Sequence, residues 1–323
     1  MSGSVAVGGI DKPISAFALG TAFYGSDRVA HWHALLDAFA DLGGTTLDTA
    51  YSYGDSEAVL GSWLAARADR ERFVVCTKGG VGDCILPADA LEEVIERELS
   101  ESLRRLQTDA VDLYWLHRDN PAVPVARVVD CLNSQLVQGR IRAFGGSNWT
   151  CDRIDAANAY AAGHGLVGFA AVSNHLSLAV PTGPFYPGLV GVDETGRSWH
   201  KRTGLPLFSW SSQARGFFTG RFRPEVVGDR ADGFARRMLE IYATEGNLER
   251  LRRAERLGAE KGGASAVQIA LAWLLGQDLP VVPLVGPHTV DELWSCVGAL
   301  AVELSPEELR WLNLEDERPH STE

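Results

Sequence analysis

Short apolar segments alternate along this chain with longer stretches in which apolar residues recur at helical spacing. Between residues 91 and 106, leucine, valine and isoleucine return every three or four positions, which is the pattern of an amphipathic helix. Short uninterrupted apolar runs are typical of buried strands instead. The pattern predicts strands at or around residues 47, 73–75, 111–116, 141–144, 167–172, 205–210 and 281–285, and helices at 91–106, 125–138 and 151–163.

Capping signals indicate where several helices begin. Ser265 and Ser305 are followed three residues later by Gln268 and Glu308, so both serines predict capping boxes. Asp89 is the expected N-cap of the helix that follows it.

The repeated order of strand and helix predicts one α/β domain. The whole chain, 1–323, fits a single (β/α)8 TIM barrel with eight parallel strands. A doubly wound sheet is the competing architecture, but no GxGxxG sequence follows the first strand. Two connections, 176–204 and 217–245, are longer than a barrel requires, and long loops on such a scaffold usually carry function. Peripheral padding is the alternative interpretation of both.

Four reactive side chains stand at or just beyond the ends of predicted strands. They are Asp48, Tyr53, Lys78 and His117. The strands of a barrel end on one face, where its chemistry takes place, so we expect the four to converge. Taken singly, each has a structural explanation, such as a packed tyrosine, a core histidine or an aspartate that caps a turn. Their combination favours a proton-transfer site.

Together these side chains suit proton exchange with a carbonyl or alcohol oxygen. A tyrosine hydroxyl ordinarily ionises at about pH 10, and a nearby ammonium favours the phenolate, so Lys78 would bring Tyr53 into a useful range. Asp48 would hold Lys78 charged, and His117 would donate a hydrogen bond to the substrate oxygen. Interconversion of a carbonyl and an alcohol also requires a hydride, which no side chain supplies. The site therefore implies a nicotinamide cofactor.

Net charge, apolar runs and cysteine spacing indicate which binding partners and which cellular location to expect. The net charge of −12 disfavours binding to nucleic acid or to an anionic membrane, and no apolar run reaches the roughly 20 residues of a membrane span. The N-terminus lacks a basic start and an apolar segment, so we expect no export. The five cysteines (76, 84, 131, 151 and 296) include no CxxC pair, which favours a cytoplasmic, reducing location. Cys76 and Cys131 are expected to be small buried residues.

Nearly the whole chain resembles an aldo-keto reductase. The distance from Asp48 to Tyr53 is the spacing of that family, and Lys78 and His117 follow in its order. The other matching motifs are Gly20-Thr21, Glu57, Leu60-Gly61, Thr77-Lys78, Gly146-Ser147-Asn148-Trp149, 210–216, and 283–286 with Leu293. The resemblance implies NAD(P)-dependent carbonyl chemistry with a tetrad of Asp48, Tyr53, Lys78 and His117, in which Tyr53 is the general acid or base.

The resemblance also implies cofactor contacts. Ser147 and Asn148 match the pair that bonds the nicotinamide carboxamide, and Trp210 stands where an aromatic ring stacks on the nicotinamide. Ser173 replaces a glutamine of longer reach, for which Asn174 or a water is the expected substitute. The loop over the pyrophosphate corresponds to Ser211, Ser212, Gln213, Ala214, Arg215 and Gly216, and the remaining contacts are Gly20, Thr21, Gly286 and Glu292.

The choice between NAD and NADP stays open at this stage. Positions where the family often carries cations for the 2′-phosphate hold Gly286, Pro287 and Glu292 here. Glu292 would accept a hydrogen bond from a ribose hydroxyl, which favours NAD. Family habit favours NADP, and the cations available to hold its phosphate are Arg215, Arg221, Arg223 and His288.

Aromatic residues near the expected mouth are candidate substrate contacts. They are Phe23, Tyr24, Tyr51 and Trp149, with Phe185, Tyr186 and Trp199 on the long connections. Aromatic walls suit apolar aldehydes and also the C–H faces of sugars, so a sugar or sugar-derived carbonyl is the expected substrate. Packing within the loops is the alternative interpretation of these rings.

Three other functions fit parts of the pattern. An NAD-dependent sugar or aldose dehydrogenase would run the same chemistry in the oxidative direction. A cofactor-binding regulatory module would keep the fold without physiological turnover. A metal-dependent hydrolase is suggested by His31 and His33, but these fall at a helix start with no matching cluster, so we expect no metal.

Overall fold

Eight parallel strands form a closed barrel in sequence order, and β8 pairs with β1. The computed structural model describes residues 1, 3, 5–80, 88–228 and 232–316. The strands are β1 Ala18–Gly20, β2 Thr46–Asp48, β3 Val74–Gly79, β4 Val111–Leu116, β5 Ile141–Ser147, β6 Ala171–Ser173, β7 Leu207–Ser209 and β8 Val281–Val285.

Helices connect successive strands and surround the barrel. They are α1 Val29–Asp41, α2 Ser56–Ala65, α3 Leu91–Leu106, α4 Val125–Val137, α5 Cys151–His164, α6 Glu194–Thr203, α7 Pro224–Val227, α8 Gly233–Tyr242, α9 Glu245–Glu260, α10 Ala266–Leu275, α11 Val290–Gly298 and α12 Pro306–Leu312. The order of elements confirms the predicted (β/α)8 barrel.

Some predicted boundaries differ from the observed ones. β6 and β7 are three residues each, shorter than the predicted runs, because β6 pairs with β5 over Gly145–Ser147 and β7 pairs with β8 over Val281–Pro283. The capping boxes predicted at Ser265 and Ser305 are both present. The prediction for Asp89 was wrong, because Ala90 is the N-cap of α3 and makes no side-chain capping bond.

The two long connections contain helices of their own. α6 lies at the end of 176–204, whereas α7 and α8 lie within 217–245. Apolar side chains from both connections share one buried cluster, which includes Leu176, Leu178, Phe185, Phe217, Phe218, Phe222, Met238 and Tyr242. The connections are therefore packed against each other and are not extended loops.

Inward-pointing side chains recur with a period of two along the strands. Cys76 on β3, Leu113 and Trp115 on β4, and Ala143 on β5 belong to one buried cluster. Trp115 is fully buried, and a Cβ at Gly145, its register partner on β5, would collide with the indole ring. Glycine at 145 therefore allows the indole to fill the barrel.

The N-terminal segment packs on the end of the barrel where the strands begin. Val7, Ile10 and Ile14 join the interior cluster. Lys12 Nζ lies 2.9 Å from an oxygen of the buried Asp112 carboxylate. This contact ties the segment to β4.

Two cysteines and two histidines discussed above can now be placed in the fold. Cys76 and Cys131 are buried as predicted, whereas Cys84 lies outside the described residues. His31 and His33 contact the backbone carbonyl oxygens of other elements, at 2.7 and 3.2 Å. In the part of the chain that the structure describes, no helix has the length and apolar character needed to cross a bilayer.

Candidate active site

The C-terminal ends of β2, β3 and β4 bring the predicted catalytic side chains together. Asp48 is the last residue of β2, Lys78 lies near the end of β3, and His117 follows β4 directly. Because side chains alternate along a strand, Lys78 shares the inward face with Cys76, and His117 shares it with Trp115. These positions place the three polar groups at the mouth of the barrel, above its apolar interior.

Lys78 and Asp48 form an ion pair that is almost completely buried. Their side chains are 3% and 2% exposed. The Lys78 ammonium donates to the carboxylate and, at 2.9 Å, to the carbonyl oxygen of Thr49. Burial alone would lower the pKa of Lys78, but the adjacent carboxylate outweighs it and raises that pKa. Lys78 is therefore an ammonium at neutral pH.

Tyr53 lies beside this ion pair, on the turn after β2. The Lys78 Nζ is 4.9 Å from the centre of the Tyr53 ring, and the His117 ring meets it edge-on at 5.7 Å. The turn is fixed by backbone hydrogen bonds from Tyr53 N–H to Ala50 and from Ser56 N–H to Tyr53. The four side chains predicted to be catalytic thus form one cluster.

His117 carries no charge at neutral pH. Burial, assisted by the nearby Lys78 and Arg118 cations, lowers the pKa of His117 to about 3. Its Nδ1 lies 3.4 Å from the Ser52 hydroxyl, and its backbone carbonyl accepts a hydrogen bond from the Asn148 side chain. A neutral imidazole has one N–H to donate, which suits it to orient a substrate oxygen near Tyr53.

Three buried hydroxyl groups form hydrogen bonds with one another beside the turn that carries Tyr53. Ser56 Oγ is 2.6 Å from Thr21 Oγ1 and 2.9 Å from Thr49 Oγ1. Thr21 Oγ1 also donates to the backbone carbonyl of Asp48, at 3.0 Å. The Thr21 hydroxyl, predicted to contact the cofactor, is therefore engaged inside the protein and joins β1 to the end of β2.

At the end of β6, two buried polar atoms have no hydrogen-bond partner among the described residues. They are Ser173 Oγ and Asn174 Oδ1, and the two residues are 0% and 3% exposed. The Asn174 amide nitrogen is already engaged, since it donates to the Trp149 carbonyl oxygen at 2.7 Å. Buried polar atoms are nearly always paired, so these two fit a ligand that brings an amide group.

Asn148 bridges the site and the first long connection. Its amide nitrogen donates to the His117 carbonyl oxygen, and its Oδ1 accepts from the Val190 N–H, both at 3.1 Å. Its backbone φ is +60°. The two residues of the predicted pair are both buried and contact each other, since the Asn148 amide nitrogen also donates to the Ser147 hydroxyl at 3.2 Å.

The loop after β7 has several residues in the left-handed region. Ser211, Ala214 and Arg215 have φ between +47° and +54°, and Gly216 has +84°. Within the loop, the Ala214 N–H donates to Ser211 and the Gly216 N–H donates to Gln213, so an anion would meet the other N–H groups of this turn. This geometry fits a phosphate group better than an apolar one.

The side chains of that loop are mostly held by the protein. The Ser212 hydroxyl donates to the Leu284 carbonyl oxygen at 2.6 Å, and the Gln213 amide contacts the Cys296 sulfur at 3.2 Å. The Arg215 guanidinium lies 4.3 Å from the centre of the Phe185 ring, and its buried Nε has no partner among the described residues. Any anion contact in this loop would come from the backbone and from Arg215.

Trp210 directly precedes this loop. It is half-buried, donates through Nε1 to the Ser173 carbonyl oxygen, and lines a cavity of about 240 Å³ with His175.

The other predicted cofactor contacts lie around β8 and β1. Glu292 accepts a 2.6 Å hydrogen bond from the backbone N–H of His288 at the start of α11. Gly20 and Gly286 stand at the ends of β1 and β8, where Gly286 is exposed.

Two of the predicted substrate contacts are core residues. Tyr24 is 3% exposed and stacks on Trp32, with ring centres 4.5 Å apart. Trp149 is completely buried and packs on Phe169. Neither ring is available at the mouth, which corrects the prediction for both. Phe23, by contrast, is 63% exposed.

Arg105 on α3 was not singled out in the sequence, although it contacts the catalytic turn. Its guanidinium lies 4.8 Å from the Tyr51 ring centre, and its Nη1 donates to the Tyr51 carbonyl oxygen at 3.1 Å. The only local signal is Glu101 four residues earlier, which predicts an ion pair and nothing more. Tyr51, predicted to contact substrate, is thus held from behind by this arginine.

Comparison with known proteins shows which family this chain matches. The model of the Aldo/keto reductase family matches residues 17–313. The chain is 29% identical to the aldo-keto reductase yakc [NADP(+)] of Schizosaccharomyces pombe, over 88% of this chain and 82% of that protein. It is 26% identical to a Saccharomyces cerevisiae protein named for aryl-alcohol dehydrogenase activity, over 90% of this chain and 78% of that one.

A solved structure shares the fold. An aldo-keto reductase from Klebsiella pneumoniae in complex with NADPH superposes with a TM-score of 0.73 at 24% identity, covering 99% of this chain and 98% of that one. At this identity the likeness establishes the barrel fold.

Proposed function

The chain belongs to the aldo/keto reductase family and is an NAD(P)-dependent oxidoreductase, and from this premise we propose that it reduces a carbonyl substrate with NADPH, using Tyr53 as the proton donor. The observation that carries the proposal is the buried Lys78–Asp48 ion pair beside the Tyr53 ring. A buried ammonium beside a phenol stabilises the negative charge that develops there during proton transfer.

The side chains divide the proton chemistry among them. The neutral His117 imidazole donates an N–H to the carbonyl oxygen and orients it toward Tyr53. Tyr53 gives its hydroxyl proton to that oxygen as the alcohol forms, and the Lys78 ammonium stabilises the phenolate that remains. Asp48 keeps Lys78 charged and in place. In the oxidative direction the same groups act in reverse order.

The residues present fit a nicotinamide nucleotide. When bound, the cofactor supplies the hydride. Ser173 and Asn174 offer the unpaired buried atoms that a carboxamide would satisfy, and Trp210 offers a ring face for stacking. The left-handed backbone of 211–216, with Arg215, would hold the pyrophosphate.

NADPH is the cofactor we propose in preference to NADH. The S. pombe relative is named for NADP(+), and the K. pneumoniae structure holds NADPH. Glu292 argues the other way only weakly, since one of its oxygens already accepts the His288 N–H. Dissociation constants for NADPH and NADH, read from tryptophan fluorescence, test this choice directly, and tighter NADH binding would overturn it.

The substrate class is an aromatic or sugar-derived carbonyl. A relative named for aryl-alcohol dehydrogenase activity and the exposed Phe23 ring support an aromatic substrate. A sugar or aldose substrate, a net dehydrogenase direction and a cytoplasmic location remain sequence predictions. Turnover of matched aryl aldehydes and aldoses, assayed in both directions, separates these substrates.

Replacement of Tyr53 by phenylalanine tests the mechanism. We expect Y53F to lower kcat by roughly 10²–10⁴, because the general acid is gone while the ring remains. NADPH affinity should stay within about threefold of wild type, since the phenol hydroxyl contributes little to cofactor binding. NADPH oxidation at 340 nm and tryptophan fluorescence measure the two quantities. Full activity in Y53F would exclude Tyr53 as the proton donor, and absence of wild-type turnover would favour a regulatory module.

A further inference from the structure

Arg105 contacts two residues that flank Tyr53 in the sequence, Tyr51 and Glu57. One of its guanidinium nitrogens donates to the Tyr51 carbonyl oxygen at 3.1 Å and lies 3.4 Å from a carboxylate oxygen of Glu57. Tyr51 is two residues before Tyr53 on the same turn. Glu57 lies in the first turn of α2, which follows that turn.

Glu57 connects this arginine to the strand that carries Lys78. The Glu57 side chain has no exposed surface, and its other oxygen accepts a 2.6 Å hydrogen bond from the Thr77 hydroxyl. Thr77 immediately precedes Lys78 on β3, and its side chain points away from the barrel interior because side chains alternate. Arg105, Glu57 and Thr77 therefore form a polar chain behind β3.

A second set of contacts joins the Tyr53 turn to β3. The Tyr51 N–H donates to the Lys78 carbonyl oxygen at 2.8 Å. The Arg105 guanidinium also stacks on the Tyr51 ring, and its Nε is held by Glu101 at 2.8 Å. The turn of Tyr53 and the strand of Lys78 are thus joined through the Tyr51 backbone and through Arg105.

We propose that Arg105 is a positioning residue for proton transfer, which holds the Tyr53 turn in register with Lys78 through Tyr51 and Glu57. This inference rests on the proposed function, because it assigns a task to Arg105 only if Tyr53 and Lys78 act together. Errors of about 1 Å in such an arrangement typically cost about 100-fold in rate.

The test compares R105Q with R105K and with the matched control R104Q. Arg104 is the neighbouring arginine on α3 and also pairs with Glu101, but its side chain is 71% exposed. We expect R105Q to lower kcat by about tenfold or more while KM and the NADPH dissociation constant change by less than about threefold. The kcat–pH profile should change as well, because proton transfer then takes place on a displaced Tyr53 turn. R105K should restore part of kcat, and R104Q should match wild type.

The outcomes separate this inference from the proposed function. If wild type turns over no carbonyl, the proposed function fails; if R105Q keeps the wild-type kcat and pH profile while wild type is active, only the role of Arg105 fails. Equal losses of kcat in R104Q and R105Q would also overturn it.

A double-mutant cycle with E57Q completes the test. Glutamine at 57 still accepts the Thr77 hydroxyl but no longer attracts the guanidinium. If the two residues act as one unit, E57Q/R105Q loses no more kcat than the worse single variant. Additive losses contradict the proposal. Should R105Q not fold, E57Q alone measures the same connection, and an unchanged kcat and pH profile in E57Q overturns it.

Discussion

Two lysine–aspartate ion pairs lie at opposite ends of the barrel and differ in what surrounds them. At the end where the strands begin, Lys12 pairs with Asp112, and their side chains are 23% and 4% exposed. At the mouth, Lys78 pairs with Asp48, at 3% and 2% exposed. The chemical groups are the same, but in the described part of the chain the Lys78 ammonium lies over a tyrosine ring, that of Tyr53.

Both pairs also form hydrogen bonds with the backbone. Lys12 also donates to the Phe73 carbonyl oxygen, and Asp112 accepts the Val75 N–H, both at 2.9 Å, so this pair connects backbone segments. At the mouth, Lys78 likewise donates to a backbone carbonyl oxygen, that of Thr49, at 2.9 Å. One carboxylate oxygen in each pair, Asp48 Oδ1 and Asp112 Oδ1, has no hydrogen-bond partner among the described residues. The two pairs therefore differ in burial and position, and the second stands at the end of the barrel where chemistry is expected.

Loss of the lysine at the mouth should have the largest effect on activity. We expect K78M to lower kcat by roughly 10²–10⁴, because Tyr53 loses its charge partner and a buried Asp48 remains unpaired. Steady-state NADPH oxidation measures the loss. The double variant D48N/K78M, which removes the stranded carboxylate, should regain stability without regaining kcat. A wild-type rate in K78M would show that the ion pair is not part of the mechanism.

Loss of the lysine at the opposite end should affect stability instead. K12M leaves the buried Asp112 without its ammonium, and breaking such a pair costs about 3 kcal/mol of unfolding free energy. Because Lys12 is partly exposed, somewhat less is expected here. Urea denaturation gives the stability, and kcat should stay within about twofold of wild type, since the pair is remote from the mouth. A fall in kcat without a fall in the unfolding free energy would show that the Lys12–Asp112 pair contributes to catalysis and not to stability.

His175 is a third buried titratable side chain that can be compared with the two ion pairs. His175 is 5% exposed, and burial, with the Arg215 charge, lowers the pKa of His175 to about 4. Between this value and the usual pKa of about 6.5, the unfolded chain binds a proton that the native protein does not, so stability falls as the pH falls. H175Q should lack this contribution, which is at most about 1.4 kcal/mol per pH unit. Urea denaturation at pH 7 and pH 5 compares the slopes, and equal slopes would contradict the assignment.

The smallest effect is expected from an exposed cation near Asp112. Arg142 Nε lies 3.5 Å from the Asp112 carboxylate, and its side chain is 55% exposed. Exposed ion pairs contribute about 0–1 kcal/mol, so R142Q should change the unfolding free energy by less than about 1 kcal/mol. If R142Q proves as costly as K12M, Arg142 and not Lys12 is the partner that matters.

The features that the sequence predicted well are local. Asp48, Lys78 and His117 stand directly after apolar runs, and strand ends of a parallel barrel must meet on one face. The capping boxes at Ser265 and Ser305 likewise depend on residues three positions apart. Barrel class and the convergence of the cluster could therefore be inferred from the chain alone.

The features that the sequence did not predict depend on distant contacts. Tyr24 is buried because Trp32 on α1 stacks on it, and Arg105 reaches the catalytic turn from α3. Neither contact leaves a periodic or motif signal. The ends of β6 were misjudged for a similar reason, since strand pairing is decided by neighbours in the sheet and not by the apolar run itself.

The contact between Trp115 and Gly145 has a consequence for how this chain can change over generations. Any side chain at 145 would collide with the indole, so a single replacement there is blocked while Trp115 remains. Replacement of Trp115 alone would leave a large void in the barrel, at a cost of about 3–5 kcal/mol. A smaller residue at 115 would not free position 145 either, because a Cβ there would still lie 2.5 Å from the backbone carbonyl oxygen of Ala171. We therefore expect position 145 to stay glycine even in relatives of this barrel that carry a smaller ring at 115.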